Sequence, residues 1–241
     1  MIPVSKETLG TKRLKPLHDY NFVSNLAHCE ILGSEFSQIA LNFPIFFVDR
    51  GGVMVPVALM ALEAGKSLFV DRQGRWTGLY LPTVFRRYPF NVSRGPDGAQ
   101  PPQLLVDEEM ISDSEGEPLF GATEQQDLDG TSLVGRVLRF AIEAEQQGSL
   151  TRVLTASISA AGIIEPAGKA MGLPDQQSFL PGFNAVNEQK LRELPDATFL
   201  ELRRSGALAL IYVHLVSLGQ LARLQQLHME RQNAEKTTPV N

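Results

Sequence analysis

The sequence predicts an α+β protein: a mainly antiparallel sheet from the N-terminal half, with C-terminal helices packed on it. Three observations carry that prediction. Before Gly130 the apolar residues come in short runs bounded by Gly, Pro, Asp and Asn, the pattern of hairpin strands. After Gly130 they recur at three- and four-residue spacing over helix-length segments. No Ser/Gly- or Pro-rich linker separates the halves, so the 241 residues, 43% of them hydrophobic, read as one domain.

Residues 1–33 mix Pro, Asn and charge without a period and predict an extended, partly anchored arm. Residues 34–130 are strand-rich. Residues 35–41 suit a short helix that must end near Pro44. Residues 45–48 and 53–57 flank Asp49-Arg-Gly-Gly52, a turn cluster, and predict a hairpin. Pro56 has no N–H to give a ladder, which assigns the second strand to an edge or a bulge. Residues 67–70 and 75–78, about the turn at 71–74, predict another hairpin. Pro82 fits the first turn of a short helix that Pro89 closes. Residues 95–102 read as a loop and residues 104–106 as a strand.

Residues 131–231 are helix-rich. Thr131 or Ser132 can cap a helix to Gln147, with Leu133, Val137, Phe140, Ile142 and Ala144 inward, and Gly148 is expected to break it. A second helix over 150–161 ends at Gly162. Residues 163–165 and 178–180 read as returning strands. Asn187 caps a brief helix, Asp196 caps the next, and Gly206 ends or kinks that one. The last helix carries the clearest stripe, Leu208, Ile211, Leu215, Leu218, Leu221, Ala222 and Leu224. Residues 232–241 are polar and predict a frayed tail.

The formal charge is −5, from 22 Lys and Arg against 27 Asp and Glu, which argues against a basic nucleic-acid-binding surface. The charge is uneven. Residues 107–129 hold nine acids and no base, leaving the remainder at +4. Just upstream, residues 72–94 hold Arg72, Arg75, Arg86, Arg87 and Arg94 among Trp76, Tyr80, Phe85, Tyr88 and Phe90, with no acid. Charge runs are ordinarily solvated faces, and these two would partly neutralise each other. The sharper expectation is a docking surface, because Arg, Tyr and Trp dominate interface hot spots. Its candidate partner-binding residues are Arg75, Trp76, Arg86, Arg87, Tyr88 and Phe90. Single-stranded nucleic acid could stack on these aromatics, but the acidic neighbour opposes it.

The first twenty residues lack the apolar core of a signal peptide. The longest apolar run, residues 207–218, is twelve long where a membrane span needs about 20. The expectation is a cytoplasmic protein with no membrane span; the alternative is the cell surface by a non-Sec route. A lone cysteine, Cys29, excludes an internal disulfide.

The search for chemistry yields no catalytic residue, cofactor or metal site. His214 and His228 are fourteen apart, ~21 Å along a helix, and cannot share an ion. The plain reading of His214, inside an apolar run, is a satisfied core histidine. His28 and Cys29 are adjacent, so their side chains diverge and form no nucleophile–base pair. The chain has no Gly-x-Ser-x-Gly elbow, Ser-x-x-Lys, Walker loop or Gly-x-Gly-x-x-Gly turn. Asp127-Leu-Asp-Gly130 resembles part of a calcium loop, but Leu138 stands where the bidentate Glu belongs. Asp113, Glu115 and Glu117 offer at most a loose surface calcium site.

Five segments recur in an order similar to that of the SapC family of bacterial proteins. They are Ser37-Gln-Ile-Ala-Leu-Asn-Phe-Pro-Ile-Phe-Phe47, Leu68-Phe-Val-Asp-Arg-Gln-Gly-Arg-Trp76, Tyr80-Leu-Pro-Thr-Val-Phe-Arg-Arg-Tyr-Pro-Phe90, Ile163-Ile-Glu-Pro166 and Leu200-Glu-Leu-Arg-Arg-Ser-Gly-Ala-Leu-Ala-Leu-Ile-Tyr-Val-His-Leu-Val-Ser-Leu218. Two positions depart from the family's pattern: Ser67, where many relatives have Asn, and Ala167, where Trp is common. The resemblance implies a modest set of properties. The family is named after a protein linked to a bacterial surface layer, and most members have no demonstrated activity. Relatives are often encoded near outer-membrane receptors and flavin-dependent halogenase-like proteins, which implies an accessory or partner role. The like-named permease of a peptide transporter is a multi-spanning protein and a different molecule.

The leading expectation is therefore a non-enzymatic accessory or interaction protein, its partner another protein of a surface-assembly, outer-membrane receptor or halogenase-like system. The alternative is a small-ligand binder or enzyme with a pocket between sheet and helices, built on Tyr212, His214 and Glu165 with Arg87. A homo-oligomer through the C-terminal helix is the third.

Overall fold

The computed structural model describes residues 1–63, 65–93, 102–172 and 180–237. In chain order its elements are β1 (Ile2–Pro3), α1 (Lys6–Leu9), β2 (Arg13–Leu14), β3 (His28–Glu30), α2 (Phe36–Ile39), β4 (Ile45–Asp49), β5 (Met54–Leu59) and α3 (Thr83–Arg86). There follow β6 (Phe90–Ser93), β7 (Gln103–Val106), β8 (Ile111–Ser112), β9 (Glu117–Pro118), α4 (Glu124–Leu128), α5 (Leu133–Ala160), β10 (Ile164–Pro166), α6 (Ala167–Ala170) and β11 (Phe183–Val186). The chain closes with α7 (Glu188–Arg192), α8 (Asp196–Ser205), α9 (Ala207–Ser217) and α10 (Gln220–Thr237). The class is α+β, 46% helix and 18% strand, as the sequence predicts. Arg94, most of the expected loop at 95–102, two residues of the expected strand at 178–180 and the tail beyond residue 237 lie outside the described residues.

Contacts group the chain into two compact units, each made of two stretches: Met1–His18 with Val84–Gln146, and Asp19–Thr83 with Gln147–Asn241. Because each unit is discontinuous, a linker search along the sequence has nothing to find.

The first unit holds two antiparallel three-stranded sheets, β1-β7-β6 and β8-β2-β9. The first 18 residues are more than an arm. Arg13 and Leu14 pair with β8 on one side and β9 on the other, so β2 is a central strand. Leu9, Phe90, Leu104, Val106, Leu119 and Val134 form the unit's core. Charge holds the arm as well. Lys12 pairs with Asp113 and Lys6 with Asp127, while the Lys15 ammonium and the Arg13 guanidinium donate to the Glu109 and Gly116 carbonyls. With Arg136 on Glu117, bases of the same unit pair with three of the nine acids of this stretch. From the Arg–aromatic segment, the Tyr88 hydroxyl donates to the Asp107 carboxylate at 3.0 Å.

The second unit is built on an antiparallel sheet in the order β10-β11-β4-β5-β3. Two of its strands, β10 and β11, come from the C-terminal half, where the sequence predicts returning strands at 163–165 and 178–180. The predicted β4–β5 hairpin forms, with Asp49 opposite Met54 across the turn. Phe36, Ile39, Phe43, Ile45, Phe46, Phe47 and Ile211 are among its fully buried side chains.

Several expectations need correction. Strand β5 lies between β4 and β3, so Pro56 is in an interior strand. The ladder tolerates it because β3 stops at Glu30: the Pro56 carbonyl accepts from Ile31, and the missing N–H falls where pairing ends. The second hairpin shrinks to one bridge, Val70 to Trp76. Gly148 breaks nothing; α5 runs 28 residues through it, since a helical glycine costs only about 1 kcal/mol. Ile142 is 59% exposed, because the stripe packed on the core is Leu133, Val134 and Val137. The returning strand follows the Pro181-Gly182 turn as β11. Asp196 opens α8 with no side-chain cap bond. The final stripe is divided between α9 and α10, with Ala222 exposed, and the helix continues to Thr237 through the expected start of the tail.

Candidate functional site

The second unit contains the most enclosed ionisable side chain among the described residues. His214 on α9 is fully buried beside β4 and β11. Asn184 pairs with Phe47, so Val186 falls in register with Ile45 two residues on. At that step the two strands do not bond directly. The Val186 N–H donates to His214 Nε2 at 3.1 Å, and Nδ1 lies 2.9 Å from the Ile45 carbonyl. Since Nε2 accepts, the proton sits on Nδ1 and is given to Ile45. Ser217, one turn on, takes the Ile45 N–H at 2.9 Å and donates to the His214 carbonyl at 2.6 Å. The helix thus closes the open end of the β4–β11 ladder. Burial drives the imidazole pKa down to about 4, against the opposing pull of the Ile45 carbonyl.

Glu165 lies at the other side of β11 with different partners. Its buried carboxylate meets the ammonium groups of Lys190 and Lys169 and accepts from the Asn187 side-chain amide. The Lys190 contact is the largest influence, and the carboxyl pKa falls to about 2 despite burial. Tyr212 is two positions from His214 and half exposed, about 200° away around the helix. The proposed pocket trio does not converge: one side chain is a core ladder piece, one a charge cluster, one a surface ring.

The Arg–aromatic candidates separate in the same way. In the second unit Arg75 is bonded to Asp71 at 2.8 Å. Trp76 is partly buried among Phe43, Phe69 and Tyr20, and its indole N–H donates to the Tyr80 carbonyl at 3.1 Å. In the first unit Phe90 is a core residue and Tyr88 is tied to Asp107, while Arg86 and Arg87 are exposed.

Two residues that the sequence reading passed over stand out. Glu35 is a buried carboxylate accepting from the Leu32 N–H, the Tyr80 hydroxyl and the Thr83 N–H at 2.7–2.9 Å. It shapes the Tyr80-Leu-Pro-Thr segment; a Glu in a short helix gives no hint of partners 45 and 48 residues away. Asn42 is fully buried, and its side-chain amide has no hydrogen-bond partner among the described residues. Cys29 is buried on β3, where burial first and the Glu35 and Glu30 charges next push its thiol pKa up, away from the reactive thiolate. Among the described residues no group of three or more His, Cys, Asp and Glu is placed to hold a metal.

The stretch Ala207–Ala234 is long and apolar enough to cross a membrane by length and composition: an 18-residue window within it has mean hydropathy 1.5, and 39% of that window is buried. Its residues His214 and Ser217 are among those bonded into the sheet. A family model described as SapC matches residues 4–224. No curated protein and no solved structure matches the chain.

Proposed function

Because the chain belongs to the SapC family, we propose that it acts as a non-enzymatic accessory protein that binds another protein. The observation supporting this reading is the use made of the buried groups most suited to chemistry. His214 completes a β-ladder, Glu165 joins two lysines, and Glu35 holds three donors, so each is engaged in positioning its own chain. A general acid or base has to face substrate instead. In this reading the protein works in the cytoplasm, beside a surface-assembly or outer-membrane uptake system or a halogenase-like enzyme, and Arg86 and Arg87 form part of its docking surface. Affinity-tagged protein purified from native cells should bring one partner in near-stoichiometric amount, and R86A/R87A should reduce that yield several-fold with unchanged circular dichroism. Purification of the wild type without a partner would sink the proposal; an undiminished yield with R86A/R87A would remove those arginines from the interface.

A further inference from the structure

One exposed apolar helix face in the second unit belongs to α9. Ala209, Tyr212 and Val216 on α9 and Gly219 just beyond its end follow at spacings of three and four, and all are exposed. Tyr212 is 50% and Val216 73% exposed, whereas Ile211, His214 and Ser217 on the opposite side are buried. A surface helix ordinarily keeps its outward face polar, and an outward apolar one marks an interaction site. Exposed arginines precede and follow this face in the chain. Arg203 and Arg204 close α8 just before the turn at Gly206, and Arg223 lies two turns beyond Val216; all three are exposed. Among the described residues no carboxylate pairs with them.

These features select the occupant. A second copy on the same face would set Arg203 and Arg204 against Arg223 in an antiparallel pairing, and against themselves in a parallel one, so like charges meet either way. A lipid surface is best held by bulky side chains such as Trp, Phe or Leu. Here small residues, Ala209 and Gly219, flank Tyr212 and Val216 and leave room for another helix to lie close. We propose that the α9 face docks an amphipathic helix of a partner protein, its apolar stripe on Tyr212 and Val216 and its acidic flanks on Arg203, Arg204 and Arg223. This rests on the interaction reading above and names the chemistry of the partner.

The test uses two synthetic 18-residue helical peptides with the same leucine stripe, one flanked by Glu and one by Lys, followed by fluorescence anisotropy with the full chain. The Glu peptide should bind at least tenfold more tightly than the Lys peptide, and more weakly as salt is raised. Y212S/V216S should lose at least tenfold in affinity, and R203E/R204E/R223E should reverse the preference between peptides. The arginine variant touches no buried residue, so it decides the matter even where the serine variant fails to fold. Absence of Glu-peptide binding, or binding indifferent to the arginine variant, overturns the proposal. So does Tyr212-dependent binding to phosphatidylglycerol vesicles in place of the peptide, or a light-scattering dimer that the arginine variant alters. If the native partner co-purifies equally well with R203E/R204E/R223E, the docking face is wrong and the interaction reading stands; if the wild type brings no partner, that reading itself falls.

Discussion

At position 214 an imidazole stands where two strands would otherwise bond directly, and this has a measurable thermodynamic consequence. Replacing His214 by Phe preserves bulk but leaves the Val186 N–H and the Ile45 carbonyl without their partner. A buried group so orphaned costs about 1–3 kcal/mol, so H214F should lower stability in urea unfolding by about 2–4 kcal/mol. The pH dependence has a definite sign. The folded ring titrates at about 4 and the unfolded one at the ordinary 6.5. Above pH 6.5 neither state is charged and the stabilisation is complete. As pH falls from 6.5 to about 4 the unfolded chain binds the proton first, and stability drops by roughly 3 kcal/mol across that window. Glu165 adds a second loss lower down, because its carboxyl titrates at about 2 when folded against 4.5 otherwise. Its contribution is present above 4.5 and disappears as pH falls toward 2. Unfolding free energy followed from pH 7 to 3 should show the upper decline in the wild type and in E165Q, but not in H214F. The sequence marks His214 as a core residue, since its neighbours are apolar. It could not name the partners, which are 28 and 169 residues away and are backbone groups that any side chain could have carried.

For elements, legibility depended on whether local rules decide. The β4–β5 turn, the Asn187 cap and the stop at Gly162 are set by neighbouring residues, and the sequence placed all three. Helix α5 went the other way: a glycine that looks like a breaker lies inside 28 helical residues. A Cβ at Gly148 would meet Arg152 at 3.7 Å and Leu32 at 3.9 Å, both ordinary contacts. G148A should therefore stabilise the protein by about 0.5–1 kcal/mol, since alanine loses less backbone entropy on entering a helix. Gly135 in the same helix is the contrast. Its Cβ would sit 2.5 Å from the Asp127 carbonyl oxygen and 2.7 Å from the Gly130 Cα, backbone atoms that cannot step aside cheaply. G135A should destabilise by about 1–3 kcal/mol. Thermal melts of the two variants should move in opposite directions; a fall for G148A would mean that the glycine serves something other than helix continuity.

The whole chain reaches its two units by interleaving, and the charge pattern shows how. In the sequence the −9 stretch reads as a counterpart to the Arg–aromatic segment before it, a pairing of neighbours. Three of its nine acids pair instead with Lys6, Lys12 and Arg136, within the same unit but from the chain's start and from α5. Local arithmetic found the charges but not the partners, because pairing across about 100 residues is set by topology. Those exposed pairs individually contribute little; the backbone pairing of β2 has more at stake. With β2 absent, β8 and β9 lose the strand between them, and β7 loses β1 on one edge. Leu9 leaves the core at the same time. Removing residues 1–18 should therefore strip hydrogen-exchange protection from residues 90–93, 103–106 and 111–118. The strands of the second unit pair with one another, and their amides serve as the internal reference. If residues 103–118 stay protected in the truncated chain, the first stretch is a dispensable extension and the first unit folds from residue 84 onward.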